Sequence, residues 1–404
     1  MMAARRRSRP GLALALASAA TLAAAGLAEL GGRLLLPSHA RALEVYRYAE
    51  SERGKFCRFS PTLGWDGRPD ARASFEWIDS RSFVTQNRHG YRGRAHDYPR
   101  TGKPRLLVLG DSYVWGFGAE DGELFTDLIE ERLAGRQEVV NLGVSGFGTD
   151  QELLLWEEKG GRWRPDHVLL AVDLPTDLTD IGATELYGHQ KPAFRLAGAG
   201  LRLVNSPVRP ELAARALEPK VNAAVRDRWY ARLARRSAFL SALLYAASRV
   251  DALRPPLQAA GLLPPMRAAR PMEYPLYQTP HPPLYDPYFA LLERLLARLR
   301  EDTRRHGARL TVMIVPSPVE VYPDQMRRLV AASPLPPGRS WDPEAAVRRL
   351  RELAARAEVP VVDLLPELRE AGKTNPSLYF PYNLHWTRFG HRVVAEALIR
   401  KLRL

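Results

Sequence analysis

The chain has 404 residues, of which 46% are hydrophobic and 26% are charged, and this composition excludes a disordered, collagenous, coiled-coil or multi-span membrane protein. The length predicts two or three globular domains. With 59 basic and 45 acidic residues the formal net charge is +14, but no basic run carries interleaved aromatics, so no nucleic-acid partner is predicted. The lone cysteine, Cys57, excludes an intrachain disulfide framework.

The N-terminal segment, residues 1–36, has the pattern of a targeting sequence. Three arginines at positions 5–7 precede an apolar stretch, 11–28, that carries no charge before Glu29. A run of this length is at the short limit for a membrane-spanning helix and is typical of a signal peptide. The arginines predict an N-terminus on the cytoplasmic side. We therefore expect a cell-envelope protein, either anchored in the inner membrane with its bulk outside the cytoplasm or secreted after cleavage.

Residues 37–103, which we call the collar, are mostly polar and contain scattered aromatic residues. Turn signals such as Gly64-Trp65-Asp66 predict loops between short extended segments. Beyond the collar, continuous apolar runs alternate with stretches of helical period. The expected strands lie near 105–109, 139–142, 168–172, 310–315 and 361–364, and the expected helices near 124–133, 151–159, 290–306, 343–357 and 390–402. Such apolar runs are typical of parallel strands that are covered on both faces.

The alternation of strands and helices stops between residues 181 and 288. Apolar runs on either side of Ala197-Gly198-Ala199-Gly200 predict a hairpin. A helical stretch follows near 231–253, and the segment 255–287 is rich in proline. This segment is expected to be an insertion. The predicted parts of the chain are a signal or anchor segment (1–36), the collar (37–103), an α/β domain (104–180 and 289–404) and the insertion (181–288).

Candidate site residues lie where the predicted strands end, because sites in open parallel sheets form at the carboxyl ends of strands. Ser112 follows the first strand within Gly110-Asp111-Ser112, as a nucleophile or as a helix cap. The second strand runs into a glycine-rich loop with Gly146, whose N–H group suits an oxyanion, and the third runs into Thr176. Far downstream, His385 precedes the last helix, as a general base or as an ordinary polar residue.

Four blocks in this order resemble those of the GDSL/SGNH hydrolase superfamily. They are Gly-Asp-Ser at 110–112, the glycine-rich loop at 141–148, the turn at 175–177, and the His-Trp pair at 385–386 before the final helix. The resemblance covers residues 104–404 and is closest to membrane-anchored bacterial members. It implies an α/β fold of three layers, α/β/α, with a flavodoxin-like parallel sheet, an N-terminal anchor helix and an inserted subdomain.

The resemblance also implies roles for single residues. Ser112 corresponds to the nucleophile and His385 to the base, and the N–H groups of Ser112 and Gly146 correspond to two oxyanion donors. Two positions depart from the family pattern. Thr176 stands where the family has the asparagine that is the third oxyanion donor, and Asn383 stands where it has the aspartate that orients the histidine. We expect the Thr176 hydroxyl and the Asn383 side-chain carbonyl to take over these roles.

No metal or organic cofactor is expected, since the sequence has neither a His-x-x-x-His motif nor a phosphate-binding glycine motif with its lysine. Two functions remain open. One is a serine esterase or acyltransferase that acts on acyl esters of an envelope glycan or lipid, which the intact Ser112 and His385 favour. The other is a catalytically silent module of the same fold that binds an envelope polysaccharide, which the substitutions at Thr176 and Asn383 favour.

Overall fold

The computed structural model describes residues 10–35, 54–77, 80–187, 189–198, 200–209, 237–248, 253, 256–257, 260, 274–332, 335, 337–380 and 383–404. Several sequence predictions fall wholly or partly outside these residues. They concern the arginines at 5–7, the start of the collar at 37–53, and much of the helical and proline-rich stretches of the insertion.

The secondary-structure elements are numbered in chain order. The helices are α1 (Pro10–Leu35), α2 (Ser112–Trp115), α3 (Phe125–Arg132), α4 (Thr149–Glu158), α5 (Leu174–Asp180), α6 (Ala238–Ser248), α7 (Asp286–Arg305), α8 (Pro318–Val321), α9 (Pro323–Ala332), α10 (Ala345–Arg356), α11 (Leu365–Thr374) and α12 (Arg388–Leu402). The strands are β1 (Cys57–Ser60), β2 (Gly64–Gly67), β3 (Arg72–Trp77), β4 (Ser80–Thr85), β5 (Arg105–Gly110), β6 (Glu138–Gly143), β7 (His167–Val172), β8 (Glu185–Leu186), β9 (His189–Gln190), β10 (Ala193–Ala197), β11 (Gly200–Val204), β12 (Gln278–Thr279), β13 (Arg309–Ile314), β14 (Ser340–Trp341) and β15 (Val361–Asp363). Short 3₁₀ helices cover Gly160–Trp163, Tyr274–Tyr277 and Pro283–Tyr285.

The chain divides into two compact units, within Met1–Tyr48 plus Pro219–Met266 and within Ala49–Glu218 plus Arg267–Leu404. The first unit contains α1 and α6, which pack against each other. The Glu29 carboxylate of α1 accepts hydrogen bonds from the Ser237 hydroxyl and from the N–H groups of Ala238 and Phe239 at the start of α6. These bonds, that from Ser237 first, lower the pKa of Glu29 to about 2. Among the residues that the structure describes, no helix is both long and apolar enough to cross a membrane.

The second unit is built on a parallel sheet of five strands in the order β15-β13-β7-β5-β6. They are the five strands that the apolar runs predict, and each bound lies within one residue of the expected one. All five lie outside 181–288, and the hairpin predicted in that insertion is formed by β10 and β11. The described part of the collar forms two antiparallel hairpins, β1–β2 and β3–β4.

Alternate residues of the central strands face opposite helical layers. On β5, Leu107 and Leu109 pack in a cluster with α4, α7 and α10, whereas Leu106 and Val108 pack in a cluster with α3, α11 and α12. All four side chains are fully buried. A strand that is buried on both faces has no polar alternation, which is why these segments read as unbroken apolar runs. The predicted three-layer α/β/α fold is therefore confirmed.

Arg105, at the amino end of β5, joins the collar to the sheet. Its buried guanidinium pairs with Glu138 of β6 at 2.6 Å and donates to the main-chain carbonyls of Tyr98, Pro99 and Trp163. An arginine buried in this way is stable only while each of its donors has an acceptor.

We expect Arg105→Ala to lower the free energy of unfolding by about 3–5 kcal/mol, because it removes the arginine that pairs with the buried Glu138 carboxylate and leaves that carboxylate with the Thr101 hydroxyl and His96. Urea denaturation of the two proteins measures the difference. Arg309→Ala is the matched control, since Arg309 is the exposed first residue of β13, and it should change the value by less than about 0.5 kcal/mol. Equal losses in both variants would show that the buried pair has no special part in stability.

Candidate active site

Two glycines allow the chain after β5 to lie against the end of β6. Gly110 and Gly143 are paired in the sheet register. A Cβ at Gly110 would lie 2.3 Å from Val114 Cγ2, and a Cβ at Gly143 would lie 2.3 Å from the main-chain nitrogen of Trp115. Any larger residue would therefore push α2 away from the sheet. Glycine at both positions places Ser112, the first residue of α2, at the carboxyl end of a central strand.

The turn that carries Ser112 is fixed by two polar side chains. Asp111 caps α2 by accepting a hydrogen bond from the main-chain N–H of Tyr113 at 2.9 Å. Asn141, near the end of β6, donates to the carbonyl of Val114 at 2.8 Å and accepts from the N–H of Gly143 at 2.8 Å. The buried Asn141 side chain thus ties α2 to the strand beside it. The sequence does not predict this role of Asn141, because its partners are brought to it by tertiary packing and leave no pattern in the sequence.

Ser112 and His385, the predicted nucleophile and base, lie in direct contact. Ser112 Oγ is 2.7 Å from His385 Nε2, and His385 Nδ1 is 2.9 Å from the main-chain carbonyl oxygen of Asn383. Because a carbonyl oxygen only accepts, Nδ1 must carry the proton, which leaves Nε2 free to accept from the serine hydroxyl. A serine hydroxyl at hydrogen-bond distance from an oriented imidazole is the arrangement required for nucleophilic catalysis, and the same hydroxyl lies 3.3 Å from Asp111 Oδ2.

Asn383 contacts His385 as predicted, but through a different atom from the one expected. The main-chain carbonyl of Asn383, not its side-chain carbonyl, accepts the Nδ1–H of His385. The side-chain Oδ1 instead accepts the main-chain N–H of His385 at 2.9 Å, and Nδ2 donates to Ser80 Oγ at 3.0 Å. The cause is local, since asparagine favours a turn in which its side chain bonds the backbone two residues ahead. This turn brings the main-chain carbonyl of Asn383 to the imidazole.

The two other predicted oxyanion residues lie on either side of Ser112. Gly146 is in the loop after β6 and has a φ of +79°, a conformation that favours glycine. Thr176 is in the first turn of α5 after β7, and its hydroxyl donates to Asp173 Oδ2 at 2.9 Å. In this arrangement the hydroxyl proton of Thr176 is directed at the Asp173 carboxylate. The roles of both residues as oxyanion donors stay predictions.

The His385 ring lies between two aromatic rings. Phe117 stacks on it with 4.4 Å between ring centroids and 16° between planes, and Tyr113 lies 4.8 Å away at 39°. The Tyr113 hydroxyl also donates to the carbonyl of Leu384 at 2.9 Å. Leu384 has a φ of +65°, which is unfavourable for leucine and is maintained by its surroundings. The sequence does not identify either aromatic residue, because Tyr113 in α2 and Phe117 just after it read as ordinary apolar positions behind Ser112.

A cluster of buried acids adjoins Ser112. Its members are Asp111, Asp150, Glu152, Asp173, Asp177 and Asp180. The fully buried ammonium of Lys191 pairs with Asp150 at 2.7 Å. Burial is the main cause that raises the pKa of Asp111 to about 6 and the pKa values of Glu152 and Asp177 well above the usual range, and neighbouring carboxylates add to it. Within the described ranges, no group of three or more His, Cys, Asp or Glu side chains is arranged to hold a metal ion.

Glu152 makes the stability of the protein depend on pH. Its carboxyl keeps a proton in the folded state at a pH where the unfolded chain has lost it, so folding takes up a proton. The free energy of unfolding therefore falls as the pH rises from about 5 towards the raised pKa. We expect Glu152→Gln to reduce this slope by up to about 1.4 kcal/mol per pH unit.

Urea denaturation at several pH values between 6.5 and 8.5 measures the slope. Burial also lowers the folded-state pKa values of His167 and His391, to about 4 and about 3, but this contribution to the slope is common to the wild type and the variant. Glu131→Gln, on the exposed face of α3, is the control and should keep the wild-type slope. Identical slopes in wild type and Glu152→Gln would mean that Glu152 is ionised in the folded protein.

A parallel sheet with an oriented Ser–His pair at the carboxyl ends of its strands is the arrangement typical of serine hydrolases with an α/β fold. Residues 283–404 match the family model described as "SGNH hydrolase-like domain, acetyltransferase AlgX". The match confirms the resemblance to the GDSL/SGNH hydrolase superfamily, and it covers the segment that carries His385. It supports acyl ester hydrolysis or acyl transfer as the general class of activity.

Solved structures that resemble the chain include several esterases. A catalytic mutant of an acetylxylan esterase from Geobacillus stearothermophilus is 15% identical, with 76% of this chain and 97% of that chain covered and a TM-score of 0.38. The acetyl xylan esterase AlAXEase is 12% identical, with 74% and 99% covered and a TM-score of 0.38. An alpha/beta hydrolase enzyme from the metagenome of Lake Arreo, Spain, is 15% identical, with 75% and 96% covered and a TM-score of 0.36. No curated protein matches the sequence.

Proposed function

We propose that the protein is a serine-dependent esterase or acyltransferase that acts on acyl esters of a cell-envelope glycan or lipid. The observation that carries the proposal is the 2.7 Å contact between Ser112 Oγ and His385 Nε2. The proton on His385 Nδ1, directed at the Asn383 carbonyl, leaves Nε2 as a base towards the serine. A Ser–His contact of this kind has no evident use in a module that only binds polysaccharide.

The first half of the reaction acylates the enzyme. Ser112 Oγ attacks the ester carbonyl carbon while His385 Nε2 takes the hydroxyl proton, and the negative charge moves to the carbonyl oxygen. The main-chain N–H groups of Ser112 and Gly146 are the proposed donors to this oxyanion. When the intermediate collapses, His385 returns the proton to the departing alcohol, and the acyl group stays on Ser112 as an ester.

The second half of the reaction decides between hydrolysis and transfer. His385 removes a proton from an incoming hydroxyl, which attacks the acyl–Ser112 ester and releases the serine. Water as the acceptor gives a carboxylic acid, whereas a sugar hydroxyl gives a new acylated glycan. The family model that matches residues 283–404 is described as an acetyltransferase, which supports a short acyl group and transfer as one outcome. The net charge of +14 favours an anionic glycan or lipid surface as the partner.

The proposal predicts that a short-chain nitrophenyl ester is cleaved, and that Ser112→Ala and His385→Ala each lower kcat by at least about 10³-fold. The expected fall reflects the loss of the nucleophile or of the base, while the thermal midpoint should change little because both residues are only partly buried. Release of nitrophenol by the full chain measures the first reaction. Mass spectrometry of an added sugar acceptor separates transfer from hydrolysis.

The competing function is a silent module that binds an envelope polysaccharide, and the engagement of the Thr176 hydroxyl with Asp173 favours it. In that case the wild type should equal Ser112→Ala on every ester and every acylated glycan tried. Polysaccharide binding that survives Ser112→Ala, together with this absence of turnover, would replace the esterase proposal.

We further propose that residues 1–36 direct the protein into the cell envelope, with the bulk outside the cytoplasm. The proposal is supported by the arginines at 5–7 before the apolar stretch 11–28 and by the exposed leucines of α1, among them Leu22 and Leu34. We expect alkaline phosphatase fused after Leu404 to be active, because this enzyme requires an oxidising compartment. Replacing the three arginines with glutamate should reduce that activity, and a fusion that is active only as a cytoplasmic reporter would contradict the proposal.

A further inference from the structure

The collar contacts both loops that the proposed reaction uses. Ser80, at the start of β4, is 5% exposed, and its Oγ accepts a hydrogen bond from Asn383 Nδ2 at 3.0 Å. The same Asn383 side chain accepts the main-chain N–H of His385 through Oδ1. One asparagine therefore links the collar to the backbone of the proposed base.

A second contact from the collar supports the plane of the imidazole. Phe75 of β3 is buried and packs edge-on against Phe117, with 4.6 Å between centroids and 82° between planes. Phe117 in turn stacks on the ring of His385 at 4.4 Å. Stacking on Phe117 restricts the tilt of the His385 ring. The hydrogen bond from Asn383 to Ser80 restricts the backbone that carries the ring, so the two contacts complement each other.

The other collar hairpin holds the loop that carries Gly146. Trp65 Nε1 donates to the carbonyl of Ser145 at 3.2 Å, and the Trp65 ring packs against Phe147 at 5.8 Å. Gln151, at the start of α4, donates to the carbonyl of Leu63 in the same hairpin at 2.7 Å. The β1–β2 hairpin therefore bonds to the chain on both sides of Gly146.

We infer that the collar is a positioning element of the active site, and that Ser80 is the positioning residue for His385. The inference rests on the proposed function, since it assigns the collar to the geometry of that reaction. Within the described residues, the Ser80 hydroxyl makes no hydrogen bond with Ser112 or with the imidazole of His385. Ser80 acts through Asn383. The turn at Asn383 sets the position of its main-chain carbonyl, which accepts the Nδ1–H of His385, and the position of the His385 ring.

The chain offers a matched control for Ser80. Ser82 lies two residues further along β4, is 1% exposed, and its hydroxyl has no hydrogen-bond partner in the described part of the chain. Both changes to alanine remove one buried hydroxyl from the same strand. Only Ser80→Ala removes a contact with the histidine loop.

We expect Ser80→Ala to lower kcat by about tenfold or more with little change in KM, because small displacements of a base reduce the rate of proton transfer more than binding. Ser80→Thr, which keeps the hydroxyl, should restore most of the rate. Ser82→Ala should leave kcat and KM at their wild-type values. A purely structural role would lower the thermal midpoint of both alanine variants alike and would show no rescue by threonine.

Hydrogen exchange tests the inference without any turnover. Loss of one hydrogen bond should speed the exchange of the main-chain amides at 383–387 by about fivefold in Ser80→Ala and leave them unchanged in Ser82→Ala. Trp65→Phe, which keeps the ring but loses its N–H, should speed exchange at 144–148 instead. Unchanged exchange in Ser80→Ala and Trp65→Phe would overturn the inference. Absence of Ser112-dependent turnover in the wild type, with the exchange effects present, would overturn only the esterase proposal.

Discussion

The hydrogen bond between Ser112 and His385 is the contact on which the rest of the site depends. It requires a neutral imidazole with its proton on Nδ1, and the Asn383 carbonyl provides the acceptor for that proton. It also requires the serine to stay at the edge of the sheet, which the missing side chains of Gly110 and Gly143 allow. The sheet, the turn at Asn383 and the collar thus together maintain the distance of 2.7 Å between Ser112 Oγ and His385 Nε2.

The surroundings of the nucleophile are less negative than six neighbouring carboxyl groups suggest. Burial raises the pKa values of Glu152 and Asp177 well above the usual range, which favours their neutral forms, and the Lys191 ammonium pairs with Asp150. This matters for an ester hydrolase, because the reaction builds negative charge on the substrate beside Ser112. A fully ionised cluster would repel that charge, so each raised pKa and the Lys191–Asp150 pair reduce the repulsion that the main-chain N–H groups must overcome.

The sequence predicts the sheet well and the site only in outline, for physical reasons. Strands such as β5 and β7 are covered on both faces and must be apolar throughout, so their positions can be read from composition. The motif residues Ser112 and His385 are recognisable because their chemistry restricts the residue type. The partners of Asn383 and the contact with Ser80 depend instead on which polar atoms tertiary packing brings together, and no local pattern records that choice. Glu152 is hidden for a related reason, since an acid in a helix gives no sign of whether it faces water.

The order of strands in the sheet has a consequence for how the protein is made. Strands β5, β6 and β7 come from the first half of the chain and form one side of the sheet, whereas β13 and β15 are added later at the edge of β7. Ser112 can therefore take its place on a partial sheet long before His385 has been synthesised. His385 follows Ser112 by 273 positions, so the growing chain holds an inert serine during most of its synthesis. The contact between Ser112 and His385 can therefore form only after the last part of the chain has been made and the second edge of the sheet has closed.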